Sequence, residues 1–264
     1  MSITWLTPDW PVPALARALS TWRQGGVSSP PYASLNLASH VGDGAEAVEE
    51  NRSRLRRAAR LPAEPTWLTQ VHGARVVNLD RREEAARAAE GSARAGPGAG
   101  SAAPVADGAI TRRPGVVCAI LTADCLPLLL AADCGGVVAA AHVGWRGLAG
   151  GIIEATVGSM ETPSRSLVAW LGPAIGPEHF EVGAEVREAL LGTDPGALGA
   201  FRANARGRFM ADLAALARGR LARLGVERIC GGGECTYSGP DKYFSHRRDG
   251  TTGRQATLIW LEDR

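Results

Sequence analysis

The stretch GVVCAILTADCLPLLLAADCGGVVAAAHVGWRG, residues 115–147, decides how this chain folds. It holds three continuous apolar runs, "GVVCAILTA", "LPLLLAA" and "GVVAAAHVG", interrupted at Asp124–Cys125 and at "DCGG". Runs this long without polar alternation mark β-strands covered on both faces. Two-sided cover needs further layers, and the flanking sequence supplies both periodicities. "AVEENRSRLRRAARL" sets Val48, Leu55, Ala59 and Leu61 near helical spacing, and helices are also expected from near Gly147 onward, in "VREALL" and in "RFMADLAALARGRLARLG". "RSLVAWLGPAIG" reads as a buried strand, "TWLTQVHGARVVNL" as an alternating strand broken at His72–Gly73, and the C-terminal segment closes with a strand. Strands and helices mix without strict alternation, so the expected fold is α+β or layered α/β, a single domain over residues 1–264. Residues 83–104 are Ala, Gly, Ser, Pro, Arg and Glu with no large apolar side chain, and are expected to form a mobile surface loop.

Composition narrows the function classes. Lys plus Arg total 29 against 27 Asp plus Glu, so no strong field attracts polyanions. No basic run is interleaved with aromatics, and nucleic-acid binding is not expected. The five cysteines, Cys118, Cys125, Cys134, Cys230 and Cys235, form no regular framework, which suits a reducing compartment. Residues 1–20 lack a signal-peptide layout, and no stretch reaches the roughly 18 apolar residues of a membrane span. A cytoplasmic protein, without membrane partners and monomeric, is the expectation.

Polar and soft groups gather at the ends of the apolar runs. His72 follows "TWLTQV", Cys125 follows "VVCAILTAD", and His142 ends "VVAAA". Two imidazoles and one thiolate make a three-ligand zinc site with the fourth position open to water or substrate. Zinc there would lower the pKa of bound water to about 7. Cys118 and Cys134 read as small buried hydrophobes. Asp124, set in an apolar context, must be satisfied, because a bare buried carboxylate costs several kcal/mol. Three roles are open to it: a general base or substrate contact, a partner to a ligating His, or a cap on the strand-end turn.

The ordered motifs "QVHG", "ADGAIT", "TADCLPLLL", "AAAHVGWRGLAGGIIEATV", "LGPAIGPEHFEVG" and "YFSHRRDGTTGRQA" resemble those of the YfiH family, over about Gly25 to Leu261. Its members have been called laccase-domain or multicopper polyphenol oxidoreductases and are now regarded as purine nucleoside phosphorylases. The resemblance implies a layered α/β sandwich with mixed β-sheets, and zinc (or copper) held by His72, Cys125 and His142. It implies phosphorolysis of adenosine, inosine and methylthioadenosine, with adenosine deaminase activity through a metal-bound water. Phosphate then needs an anion site. Arg146, in a Gly-rich turn that opens a helix, suits it, with Arg52 and Arg247 or Arg248 as further candidates. Asn36 and Gln70 are candidates for reading ribose or base edges, and His40 for lining the pocket. His179 is given no role. The alternative is a cysteine hydrolase or amidase acting on a peptidoglycan precursor, with Cys125 as nucleophile and His142 as base. A multicopper oxidase would need several His-rich sites, which three ligands with one Cys do not supply.

Overall fold

Side-chain alternation along the central runs builds the layers. In β5 (Val117–Thr122), Val117, Ala119 and Leu121 enter one core, while Cys118 and Ile120 enter another. In β6 (Leu126–Ala132), Leu126, Leu128 and Leu130 join a third core, and Leu129 and Ala131 face Cys118 and Ile120. Successive residues of a strand point to opposite faces, so each run can serve two cores only if both faces are covered. Every residue of both strands is buried. Each fully buried leucine contributes roughly 1.5–3 kcal/mol of transfer free energy. The structure, a computed structural model, describes residues 2–81 and 103–263.

Two sheets stack through the middle core. A four-stranded antiparallel sheet runs in the order β1 (Trp5–Leu6), β2 (Ala16–Thr21), β13 (Gln255–Leu261), β5. The six-stranded sheet runs β12 (Arg228–Gly231), β8 (Leu167–Leu171), β6, β7 (Val138–Val143), β4 (Gly108–Thr111), β3 (Val76–Asn78). Its β12–β8 and β3–β4 pairs are parallel and the rest antiparallel. Helix α1 (Ala45–Ala59) joins the core of the smaller sheet through Leu55 and Ala59. The larger sheet is covered by α2 (Trp145–Ala149), α3 (Ile152–Ser159), α4 (Ala184–Thr193) and α5 (Leu213–Arg223). A small antiparallel sheet of β9 (Glu181–Val182), β10 (Phe201–Ala203) and β11 (Phe209–Ala211) and a short helix α6 (His246–Asp249) complete the described residues. This is the expected α+β sandwich with mixed sheets.

Three local expectations need correction, and a fourth is not reached by the described residues. "TWLTQV" is extended but pairs only through isolated bridges at Thr66–Cys118 and Thr69–Val105. At Gln70 the side-chain amide, not the backbone, bonds both the N–H and the C=O of Leu121 (2.8 Å each), so no continuous ladder forms along the edge of β5. The helix after "HVG" starts at Trp145 and is broken at Gly150–Gly151, where Gly151 takes φ +86°. Cys134 is exposed in the β6–β7 turn, while Cys118 is buried as expected. The loop expected over 83–104 lies outside the described residues except for Ala103 and Pro104.

Candidate functional site

The segment Ala123–Cys125 is where the chain leaves one sheet and enters the other. It links β5 of the four-stranded sheet to β6 of the six-stranded sheet, at one end of the sandwich. The crossing forces Asp124 to φ +96°, outside the ordinary range of a side-chain-bearing residue. Three attachments hold it there. Thr236 Oγ1 donates to Asp124 Oδ1 (2.7 Å), the Arg247 N–H donates to Oδ2 (2.6 Å), and the Ile175 N–H donates to its carbonyl (2.9 Å). Asp124 therefore acts as the cap of the inter-sheet turn. Each of its oxygens accepts one protein donor while the residue lines the cavity, so the cap role, one of the three open to it, is the one its hydrogen bonds fill.

The turn delivers Cys125 to two imidazoles. One ligand atom each from His72, Cys125 and His142 lie within 4.8 Å of one another, and the two rings meet edge to face with centroids 4.7 Å apart. His142 is held within β7, 3% exposed, whereas His72 is exposed at the mouth of the cavity and takes φ +60°. A substituent on Gly144 would lie 3.0 Å from Cys125 Sγ and 3.1 Å from His72 Cδ2, so the glycine keeps the three-ligand space clear.

Asp107, just before β4 in "ADGAIT", receives both histidine-bearing segments. Its Oδ1 accepts from the His72 N–H (2.9 Å) and pairs with His142 Nδ1 (2.8 Å), and its Oδ2 accepts from the N–H groups of Val71 (3.1 Å) and Gly73 (2.7 Å). An ionised carboxylate only accepts, so Nδ1 carries a proton and Nε2 is the nitrogen left for a metal, which would displace any proton there. Burial raises the Asp107 pKa, but the His142 hydrogen bond and the Gly73 and Val71 N–H groups outweigh it and hold the carboxyl below its usual range. Burial likewise opposes ionisation of Cys125, yet His142, through charge and hydrogen bond, and His72 bring the thiol down to about 6. Burial lowers His142, but the Cys125 thiolate and Asp107 raise it further, to about 9. A thiolate and two imidazoles around one open space, reachable from the His72 side, fit zinc, and the same soft donors suit copper.

Above the triad lies a cavity of about 370 Å³. Of the expected contacts, Gln70, Asp124, Arg146 and Arg247 line it, as does His40. Gln70 spends its amide on Leu121, so it stiffens the wall. Arg146 is exposed, stacks over Trp145 (4.2 Å), and pairs with no carboxylate among the described residues. Arg247 donates to the carbonyls of His179 and Glu181. Three expected residues lie elsewhere, among them Arg248, which donates to the Thr236, Tyr237 and Tyr243 carbonyls and to Asp249. Asn36 is fully buried; its Oδ1 accepts from the Ala38 and Arg254 N–H groups and its Nδ2 donates to Ala38 O and Asp43, leaving nothing for a substrate. Arg52 stacks over Trp67 and donates twice to the Leu37 carbonyl, outside the cavity lining.

Sequence reasoning missed Asp107, Thr236, His246 and Arg254. A carboxylate just ahead of a buried strand in "ADGAIT" was the signal for Asp107. Arg254 had no local signal. Its guanidinium donates to the Thr252 and Gly253 carbonyls while facing the Cys125–Asp124 turn, and burial lowers its pKa against the pull of Cys125 and Asp124.

Comparison with known proteins agrees with the fold and the motifs. The family described as multi-copper polyphenol oxidoreductase laccase matches residues 17–262. A Pseudomonas aeruginosa protein named a purine nucleoside phosphorylase is 50% identical over 260 residues, covering 98% of this chain and 99% of that one. Purine nucleoside phosphorylase YfiH of Escherichia coli is 48% identical over 256 residues, covering 97% and 98%. The crystal structure of a Neisseria meningitidis protein superposes with a TM-score of 0.87 at 45% identity, covering 98% and 99%. YlmD of Geobacillus stearothermophilus follows with 0.83 at 34%, covering 95% and 93%. With its motifs, layers and His–Cys–His cluster in place, the chain belongs to the YfiH-type family of laccase-like proteins.

Proposed function

We propose that this chain is a zinc-dependent purine nucleoside phosphorylase. Its substrates are adenosine and inosine, with methylthioadenosine as a further one, and the same site deaminates adenosine. One observation carries the reading: the His72–Cys125–His142 cluster floors a cavity walled by Arg146, Arg247 and Arg254, whose one carboxylate, Asp124, is tied to Thr236 and the Arg247 backbone. A volume of about 370 Å³ falls in the range of small-ligand sites. The names of the close relatives point the same way.

In phosphorolysis a phosphate oxygen bonds to the ribose anomeric carbon while the glycosidic C–N bond breaks, its electron pair leaving with the purine. Zinc, when bound, supplies Lewis acidity and acidifies water in its open position. The chain's own residues position the reactants. Arg146, with its guanidinium uncommitted to any carboxylate among the described residues, offers a two-pronged grip on phosphate. Arg247 and Arg254, fixed through carbonyls, keep the wall positive. Asp124 and Gln70 hold the turn and the strand edge on which Cys125 sits. The reading has the protein acting as a cytoplasmic monomer on small molecules, with no nucleic acid or membrane involved.

Chromatography of adenosine and inosine incubations tests it. Free base and ribose 1-phosphate should form only when phosphate is present, whereas deamination of adenosine to inosine should proceed without it. Absence of phosphate-dependent base release from either nucleoside would overturn the proposal. The second reading, the hydrolase with Cys125 as nucleophile and His142 as base, is favoured by a thiol at about 6 beside an imidazole oriented by Asp107. It requires activity that survives complete removal of metal.

A further inference from the structure

Two of the three ligands of this site are histidines, and both histidines hang on one carboxylate. Asp107 is 0% exposed and receives four N–H donors, two on each oxygen. Three of them come from consecutive residues, Val71, His72 and Gly73, which wrap around the carboxylate as a concave nest. That wrapping fixes the turn in which His72 takes φ +60°, a conformation a non-glycine residue keeps only when its surroundings impose it. The fourth donor is the ring of His142, on a strand whose own N–H bonds the Asp107 carbonyl (2.7 Å). Asp107 thus fixes the backbone of one imidazole and the tautomer of the other, while itself lying outside the metal-sized space.

Resting on the zinc reading above, we infer that Asp107 is the positioning residue of the metal site. It preorganises two of the three ligands and thereby sets zinc affinity. The chemistry is specific to a carboxylate. An asparagine has one acceptor oxygen and one NH₂ group, and in either flip the NH₂ faces two of the four donors. Turned towards Val71 and Gly73, it unbinds the His72 turn. Turned towards His142, it is tolerated only if the ring moves its proton to Nε2, which blocks the atom that would bind metal. Outer partners of this kind typically govern 10–100-fold in metal affinity.

The test compares zinc dissociation constants, by competition with a chromophoric chelator, for the wild type, Asp107→Asn and Asp194→Asn. Asp194 is a remote buried carboxylate, 5% exposed and paired with Arg220 and Arg223, and so controls for loss of stability alone. Asp107→Asn should bind zinc 10–100-fold more weakly, and Asp194→Asn should match the wild type even if its melting temperature falls further. Cobalt-loaded Asp107→Asn should keep the sulfur-to-metal charge-transfer band of Cys125 at saturating metal, as expected if the ligands survive and only their arrangement is lost. Should Asp107→Asn fail to fold, ¹⁵N shifts of the wild-type histidines decide: in zinc-loaded protein His142 must be protonated at Nδ1 and not at Nε2. Equal zinc affinity for Asp107→Asn and wild type, or a zinc-loaded wild-type His142 protonated at Nε2, overturns this inference alone. A wild type that binds no stoichiometric zinc overturns the zinc reading, and this inference with it.

Discussion

Gly144→Ala separates metal binding from folding by adding one methyl group. Gly144 precedes α2 with φ −84° and ψ 166°, an extended conformation open to alanine, so the backbone carries no objection. The methyl would stand 3.0 Å from Cys125 Sγ and 3.1 Å from His72 Cδ2. Non-bonded carbon contacts are comfortable at about 3.5–4.0 Å, so both ligands must retreat by roughly 0.5 Å. Metal–ligand distances tolerate only about 0.2 Å. Zinc affinity should therefore fall on the order of 10–100-fold, or about 1.4–2.8 kcal/mol. Chelator competition measures it, alongside the melting temperature of metal-stripped protein, which should shift little because His72 is exposed and free to swing outward. Gly147→Ala makes the contrast, since its methyl would meet the backbone oxygens of Gly73 (3.0 Å) and His142 (3.4 Å), which cannot swing aside. That variant should lose about 1–3 kcal/mol of stability from overpacking. A Gly144→Ala protein with wild-type zinc affinity would refute the steric argument and the ligand space it defines.

Three further outcomes follow from the same geometry. Arg146→Ala should raise the KM for phosphate about tenfold or more with an unchanged melting temperature; a loss confined to stability would remove Arg146 from the site. Asn36→Ala should destabilise the fold by about 1–3 kcal/mol in urea, because it strands buried N–H groups of Ala38 and Arg254. A large KM effect at unchanged stability would return Asn36 to the substrate site. In metal-stripped protein, iodoacetamide should alkylate Cys125 with a midpoint near 6, since the thiolate form is lost only as pH falls through that value, and zinc should protect it. A midpoint near that of an ordinary thiol would contradict the His142–Cys125 pairing.

The layers were legible in the sequence because β5, β6 and β7 are apolar on both faces, a pattern that needs a covering layer on each side. His72, Cys125 and His142 were legible as soft ligands at the ends of strand-like runs. Other features depend on partners far along the chain. Asp124 read as chemistry because an isolated carboxylate among leucines asks for a purpose. Its donors, Thr236 and Arg247, come from a loop and a helix start with no local signal. Arg254 reaches the site because β13 pairs with β5, with Gln255 opposite Thr122, a register no window of sequence contains. Asn36 and Arg52 were misplaced for the opposite reason. A polar Asn36 in a Gly-rich stretch and an Arg52 after an acidic run both resemble ligand contacts, yet Asn36 braces that stretch against α1 and the start of β13, and Arg52 ties α1 back to it at Leu37. The strand expected at "TWLTQV" failed because the amide of Gln70 took over the role of a backbone pair.

The central claim, that His72, Cys125 and His142 hold a metal that this enzyme needs, is met most directly by one titration. Protein stripped of metal is reconstituted with increasing zinc, and bound zinc per chain is measured beside the rate of phosphate-dependent adenosine cleavage. Activity should rise in proportion to bound zinc and level off at one zinc per chain, with Cys125→Ser remaining metal-poor and inactive. Full activity in a zinc-free preparation would contradict the account.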